Sequence, residues 1–290
     1  KICGGPTGGT FNTFANAMAV HVPKVNAHIK ASAVGSGGSV ENVKRVSSGE
    51  SDFGLCYAVD SALGRGGSLP KDETKYDGVR AMGFLYGAPA QLIVRKGSGI
   101  TSTKDLVGKK VGVGNAGSGA FANCELFFTH LGMWDKVERN ALGYNDAAQA
   151  FGNNQLDAFW LFTAFPSGAV IMAAQTNDID LIDLNAEAES SGFFDKYPYF
   201  STLAVPAGTY RGVDHDTPSF QDAALWVANA EVPDDVVYEL LSLIYTDEGL
   251  AHMRQQKKTF KEMAVETGIN GIVTPLHPGA EKFWKEKGLL

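Results

Sequence analysis

Over roughly the first 95 positions, apolar residues follow two spacings in turn, which predicts strands alternating with helices. Phe11, Phe14, Ala15 and Met18 recur at the helical spacing and predict a helix over residues 11–22. Short apolar runs on either side are typical of buried strands. The rest of this block is expected to hold strands over 2–4, 28–32 and 53–56, a helix over 40–48, a glycine-rich loop over 64–70 and extended chain over 81–94.

A second block of alternating elements begins near residue 103. Within it, Asp146 stands directly before a helical segment, and we expect it to be the N-cap, because Asp side chains accept hydrogen bonds from the free amides of a helix start. After residue 227 the pattern is helical only. The expected elements are strands over 110–113, 141–144, 158–161, 180–184 and 223–227, and helices over 120–131, 146–153, 167–176, 234–245, 247–257 and 280–286.

This order predicts an α/β protein with two lobes, since strands that alternate with helices form sheets with crossover connections. We expect lobe I to comprise residues 1–94 and 216–290, and lobe II residues 95–215. Hinge crossings are expected near 81–95 and 216–228. A ligand cleft between the lobes is the arrangement that two such crossings favour.

Composition narrows the function classes. The 290 residues carry a net charge of −7, which argues against nucleic-acid binding. The densest basic run, Lys257, Lys258 and Lys261, is interpreted as a solvated helix face. No stretch approaches the ~18 apolar residues of a membrane span. Lys1 leads directly into a strand-like segment, so we expect that any signal peptide was removed or never present. The three cysteines lack short-range pairing and are expected to be buried thiols: Cys3, Cys56 and Cys124.

Three turns rich in Gly, Ser and Thr stand directly before predicted helices. A helix start exposes unpaired amides and carries partial positive charge, and glycine allows a ligand to approach the backbone. Three such turns in one chain predict a site for a small anion. They lie at residues 7–10, 35–39 and 115–119, and include the candidate ligand residues Thr10, Ser39, Ser118 and Gly119.

Catalytic signatures are weak. Residues 112–117 match the G-x-G-x-x-G motif between a strand and a helix, but no strand about 20 residues later ends in an acid; the nearest acids are Asp135 and Glu138. Ser118 lacks the flanking glycines of a nucleophile elbow. The histidines share no metal-ligand spacing. We therefore expect no enzyme, no cofactor and no metal.

Aromatic residues lie near several of these turns. Trp160, Thr163 and Phe165 come at the end of a predicted strand and are candidates to face the cleft. Phe11 begins the first helix, and Tyr57 follows the third strand. These residues predict a partly apolar ligand pocket.

Motifs spread over the whole chain resemble the TAXI family, the solute-binding proteins of tripartite ATP-independent periplasmic (TRAP) transporters. Two segments are specific to that pattern, and five others support it. The specific ones are Gly37-Gly38-Ser39-Val40-Glu41-Asn42 and Pro275-Leu276-His277-Pro278-Gly279-Ala280; the supporting ones cover 6–11, 48–55, 108–114, 115–119 and 205–210.

The resemblance implies a fold, a set of contacts and a partner. The fold is the two-lobed type II fold of periplasmic binding proteins, which closes on its ligand without catalysis. The partner is a TRAP permease, and the ligand is similar to glutamate or 2-oxoglutarate. The family's contact positions fall on Phe11, Ser39, Val40, Asn42, Ser118, Gly119 and Ala120.

Departures from the family pattern favour a different ligand. The chain has Phe11-Asn12 where the family often has Tyr-Tyr, Ala120 where it often has Thr, and Thr163-Ala164-Phe165 where it is usually rich in glycine. A more apolar or aromatic acid is therefore an alternative to glutamate.

The leading hypothesis is a periplasmic or otherwise extracytoplasmic, monomeric solute-binding protein for a small organic anion. A sensor module that reports to a membrane receptor and a nucleotide-dependent enzyme built on residues 112–117 are the alternatives. The first would lack a neighbouring permease gene, and the second would respond to NAD(P).

Overall fold

The computed structural model describes residues 1–7 and 9–290; Gly8, in the first glycine-rich turn, lies outside the described residues. The described chain divides into two compact units. Unit 1 comprises residues 1–87 and 223–290, and unit 2 comprises residues 88–222. The chain passes between them twice, each time within a long strand.

The described residues form ten strands and eleven α-helices. Up to residue 95 these are β1 (Ile2–Cys3), α1 (Thr10–Val25), β2 (Ala33–Val34), α2 (Ser39–Ser47), β3 (Phe53–Tyr57), α3 (Ala58–Gly66) and β4 (Val79–Arg95). Then come β5 (Lys110–Gly112), α4 (Gly119–His130), β6 (Glu138–Asn140), α5 (Tyr144–Gly152), β7 (Ala158–Phe162), α6 (Gly168–Thr176), β8 (Ile179–Leu181), α7 (Asn185–Ser190) and α8 (Phe193–Lys196). The last elements are β9 (Ser201–Val205), β10 (Thr217–Asn229), α9 (Asp234–Ile244), α10 (Asp247–Gln256) and α11 (Pro278–Glu286).

Unit 1 is built on a sheet in which β1 lies between β2 and β3, all parallel. The second half of β10 continues this sheet antiparallel to β3, with Leu225 opposite Cys56. The apolar face of α1 packs on the sheet through Phe14, whose ring lies 5.9 Å from that of Trp226. The C-terminal helices α9 and α10 pack on α1 within the same unit.

Unit 2 has a mixed sheet. Here β5 pairs in parallel with β6 and β7, while β7 and β8 run antiparallel to the second half of β4. The five residues of β7 are all buried, as expected of a central strand covered on both faces. In the described part of the chain, no helix is long and apolar enough to cross a membrane.

The largest error of the sequence prediction is the loop expected over residues 64–70, part of which is helix α3. Two of its glycines have structural reasons. A side chain on Gly64 would come within 2.8 Å of Val43, so this glycine permits close packing of α3 on α2. Gly67 ends the helix in the left-handed conformation, at φ 68°.

Smaller errors concern element ends. The strand expected over 28–32 lies at Ala33–Val34, and the strand expected over 141–144 lies at Glu138–Asn140. Asp146 is not an N-cap, because α5 begins two residues earlier and is capped by Gly143. The elements β9, α7 and α8 were not predicted at all. Their polar and proline-rich sequences lack the periodicity that marks buried elements.

Candidate functional site

In unit 1, the carboxyl ends of parallel strands lie beside the starts of α1 and α2. The loop after β1 runs between the two helix starts: a side chain on Gly5 would come 3.4 Å from Phe11 and 3.9 Å from the backbone of Gly38. Tyr57 ends β3 at the same edge. In α/β sheets, ligands bind at this edge. We call this region the unit 1 edge.

An aromatic group lies at the unit 1 edge. The ring of Phe11 lies 5.0 Å from that of Tyr57 and 6.3 Å from that of Tyr86. Phe11 is 7% exposed and Tyr57 is 5% exposed. Two of the predicted ligand residues therefore contact each other, and both are buried close to the start of α1.

The structure places the polar side chains predicted on α2 in internal hydrogen bonds. Ser39 Oγ accepts from the backbone amide of Tyr57 at 2.8 Å and donates to the carboxyl group of Asp60. Asn42 Nδ2 donates to the carbonyls of Gly4, at 2.5 Å, and Leu55, at 2.7 Å. Ser39 and Asn42 thus hold the strand ends in place, while Val40 between them is half-buried.

The start of α2 is supplied with its own anion. Glu41 lies in the first turn, and its carboxylate accepts from the amide of Gly37 at 2.7 Å and pairs with Arg45 at 2.6 Å. A carboxylate at this position already satisfies the positive end of the helix. The sequence analysis placed predicted ligand contacts at this helix start, Ser39, Val40 and Asn42, but α2 differs from α1 and α4 in having an acid in its first turn.

Asp60 is a buried carboxyl group next to Ser39. It lies in the first turn of α3, is 2% exposed, and its Oδ2 has no hydrogen-bond partner among the described residues. Burial raises its pKa to about 7, against the opposing effect of the Ser39 hydrogen bond. The sequence analysis selected its neighbours Ser39 and Tyr57 as ligand residues but not Asp60 itself.

Lys257 is the residue at the unit 1 edge that the sequence analysis misread. It directly follows α10, is half-buried, and its Nζ donates to Oγ1 of Thr10, the first residue of α1, at 2.6 Å. Burial lowers the pKa of its ammonium group. Its neighbours Lys258 and Lys261 are exposed, so the interpretation as a solvated face holds for them and is wrong for Lys257.

In unit 2, the loop between β5 and α4 ends in a capped helix start. Ser118 Oγ accepts from the amide of Phe121 at 3.0 Å and donates to the carbonyl of Asn115 at 2.6 Å. Gly119 and Ala120 follow in the first turn, are buried, and are not accompanied by any acid in that turn. Gly114 has φ 91°, a conformation that favours glycine and brings its backbone against Phe121.

A second loop leaves the same edge of unit 2, because β7 runs parallel to β5. Its backbone is held by a buried pair of side chains. Gln91 Nε2 donates to the carbonyl of Thr163 at 2.9 Å, and Tyr210 donates to Gln91 Oε1 at 2.6 Å while accepting from the amide of Ser167 at 3.0 Å. The loop therefore presents the half-buried Phe165 from a fixed backbone.

Trp160 is a core residue. It is fully buried, and its ring lies 6.1 Å from Phe127, 5.9 Å from Phe128 and 6.2 Å from Phe220. The expectation that its side chain faces a cleft assumed that β7 has one open face, whereas both of its faces are covered.

The G-x-G-x-x-G segment lacks the acid that dinucleotide binding needs. Here β6 is the strand after α4, and it ends at Asn140. The side-chain Nδ2 of Asn140 donates to the backbone carbonyl of Glu138 at 3.1 Å. A carboxylate is required at the end of such a strand to bind a ribose.

Comparison with known proteins places the chain in a family. The model of the NMT1-like family matches residues 2–288. The structure is also similar to PhnD1 from Prochlorococcus marinus in complex with methylphosphonate, with a TM-score of 0.59 and 12% identity over 100% of this chain and 98% of that one. It is similar to MatC from Rhodopseudomonas palustris with bound malate, with a TM-score of 0.57 and 13% identity over 98% and 96%.

A third similar structure is the periplasmic aliphatic sulphonate binding protein SsuA from Escherichia coli, with a TM-score of 0.50 and 14% identity over 98% of this chain and 82% of that one. These likenesses confirm the predicted α/β fold, that of periplasmic binding proteins. Because the family model matches nearly the whole chain, the protein belongs to the NMT1-like family.

Proposed function

We propose that this protein is an extracytoplasmic solute-binding protein that captures a small organic anion and delivers it to a membrane permease. The three similar structures are described as complexes with, or binding proteins for, methylphosphonate, malate and aliphatic sulphonates, all of which are small anions. The TAXI-like motifs extend the proposal to a TRAP permease as the partner.

The observation that carries the proposal is the character of two helix starts. Both α1 and α4 are at least twelve residues long and begin at the carboxyl edge of parallel strands, with no acid in their first turns. No side chain caps α1 among the described residues, and its first residue holds the ammonium group of Lys257. Each of these helix starts, taken by itself, therefore carries partial positive charge that would stabilise an anion.

The proposed ligand has an apolar part as well as an anionic group. The aromatic group of Phe11, Tyr57 and Tyr86 lies directly beside the start of α1. An apolar portion that packs there would contribute about 25 cal/mol for each Å² removed from water. We propose a carboxylate with an aliphatic or aromatic portion as the ligand. Glutamate and 2-oxoglutarate are alternatives and are included in the test below.

The test begins with native mass spectrometry of the purified protein, which detects any ligand carried through purification. The protein is then stripped by unfolding and refolding and titrated calorimetrically with malate, glutamate, 2-oxoglutarate, phenylacetate and methylphosphonate. We expect at least one acid to bind with a micromolar or tighter dissociation constant, and its amide to bind much more weakly. Binding of no acid, or equal binding of acid and amide, would contradict the proposal.

The transport step needs a separate measurement. Membrane vesicles that hold the permease encoded beside this protein should take up the labelled acid only when the binding protein is added. Uptake that does not depend on the added protein would argue against delivery and favour a sensor role.

A further inference from the structure

We infer that Lys257 is the residue that pairs with the anionic group of the ligand, with the hydroxyl of Thr10 orienting its ammonium group. This inference rests on the proposed function and deepens it by naming the residue that selects an anion. It is independent of the ligand's identity, because it concerns the charged group alone.

Lys257 differs from other basic residues of unit 1, several of which form ion pairs with acids. Lys44 lies 2.5 Å from Asp72, Arg45 lies 2.6 Å from Glu41, and Lys285 lies 2.5 Å from Glu281. Lys257 is more deeply placed than typical surface lysines, yet it forms no ion pair with any carboxylate that the structure describes; its recorded partner is a neutral hydroxyl. An ammonium group withdrawn from water without a counter-ion is unfavourable.

The position of Lys257 makes its environment less favourable still. Its Nζ lies 2.6 Å from the side chain of the first residue of α1, where the helix carries partial positive charge. The backbone of Lys257 follows the C-terminus of α10, the end at which a lysine is favoured, but its ammonium group reaches the opposite end of α1. The unliganded protein therefore holds two positive features side by side, and an anion placed between them would stabilise both.

A second unsatisfied group belongs to the same edge. Phe11, next to Thr10, stacks near Tyr57, whose amide donates to Ser39, and Ser39 in turn bonds to Asp60. Asp60 Oδ2 is buried without a partner among the described residues. The unit 1 edge therefore holds a buried carboxyl oxygen without a partner among the described residues, in the hydrogen-bond network that fixes the start of α2.

The experiment compares Lys257→Met with Lys257→Arg and with the matched control Lys258→Met. Methionine keeps the length of the side chain and removes the charge. The probe is the acid of the panel that binds the parent most tightly, titrated beside its amide. We expect Lys257→Met to weaken binding of the acid about ten- to a hundredfold, as for loss of one charge-assisted hydrogen bond. Binding of the amide should be unchanged, Lys257→Arg should retain most of the affinity, and Lys258→Met should bind like the parent.

Thermal unfolding of the unliganded variants separates this role from a structural one. Because Lys257 is held unfavourably without an anion, Lys257→Met should be at least as stable as the parent while binding less. A structural lysine would instead show a lower melting temperature and equal weakening of acid and amide binding.

The outcomes distinguish the two proposals. If the parent binds an acid and Lys257→Met binds it equally well, the assignment of Lys257 is overturned and the proposed function stands. If Lys257→Met is destabilised and loses acid and amide alike, the assignment is also overturned. If the parent binds no acid of the panel, both proposals fail.

Discussion

Individual residues show which features of the candidate site local sequence pattern can predict and which it cannot. The glycine-rich turns before α1, α2 and α4 were predicted from local pattern, and these helices begin within a residue of the expected positions. Lys257 and Thr10 are 247 residues apart, and no local pattern relates them. The roles of Ser39 and Asn42 also depend on contacts with distant strands, which spacing along the chain does not reveal.

Asp60 leads to a prediction about pH and stability. Its folded pKa of about 7 lies above its ordinary value of 3.8, so the folded protein binds the extra proton. The stability associated with that proton is fully present below about pH 4 and is lost as the pH rises through 7. We expect Asp60→Asn to stabilise the protein relative to the parent by on the order of 1–4 kcal/mol at pH 8, and much less at pH 4.5.

Urea unfolding of parent and variant at the two pH values measures this difference. Asp135→Asn is the matched control, since the side chain of Asp135 is 90% exposed. A difference between parent and Asp60→Asn that does not change with pH would mean that Asp60 is ionised in the folded protein throughout this range.

At the scale of elements, helices with regularly spaced apolar residues were predicted from the sequence, and elements without such spacing were missed. The helices α1, α9 and α10 each bury one face and were predicted within a few residues, and so was α4, most of whose residues are buried. By contrast, α3 contains Gly64, which packs closely against α2, so a glycine that favours a loop prediction serves a helix contact here. Tertiary packing decides such segments, and it is not visible in a local window.

The start of α4 allows helix capping and ligand binding to be separated. Ser118→Ala removes the cap of α4 and should lower stability by about 1 kcal/mol. Ser118→Asp keeps a capping oxygen but places a carboxylate at the start of α4, which the sequence predicts to bind an anion. We expect Ser118→Asp to retain the parent's stability and lose acid binding at least tenfold through charge repulsion, as measured by urea unfolding and calorimetry.

Ser118→Ala serves as the control for shape and Ser118→Asp as the probe of charge. Equal acid affinity in the parent and in Ser118→Asp would remove the start of α4 from the site. The binding assigned to the unit 1 edge would be unaffected by that result.

A pair of histidines at the contact between α1 and α10 predicts that the folded protein loses stability at acidic pH. The rings of His21 and His252 stack 4.6 Å apart, and burial followed by the charge of His252 lowers the pKa of His21. Glu248 opposes this shift and Lys24 supports it. A lowered folded pKa means that the unfolded chain binds the proton more readily, so stability is present above about pH 6.5 and is lost as the pH falls below it.

We expect His21→Phe to be less sensitive to acid than the parent, with the difference between pH 7.5 and pH 5 reduced by about 1 kcal/mol. Guanidinium unfolding at both pH values checks this, with the exposed His28→Gln as the control. An unchanged pH dependence in His21→Phe would show that folding does not lower the pKa of His21.

At the scale of the whole molecule, alternation of strands and helices was sufficient to predict the α/β fold, because each strand–helix pair reports its own burial pattern. The chain passes from one unit to the other at residues 87–88 and 222–223, both inside long strands. The predicted lobe I instead ended at residue 94 and resumed at residue 216. Continuous apolar strands carry no local mark of a boundary. The position of such a boundary depends on which distant segments pack on each half of the strand.

Closure of the two units on the ligand stays a prediction, and the two strand crossings motivate it. On the unit 1 side of the first crossing, the amide of Gly87 is fixed by Glu262 at 2.9 Å, so bending there would be confined to the residues that follow. Small-angle X-ray scattering of stripped protein should show a smaller radius of gyration after saturation with the acid that binds most tightly. Ser118→Asp with the same acid is the control and should not contract. Identical curves for the parent with and without saturating acid would mean that binding occurs without closure.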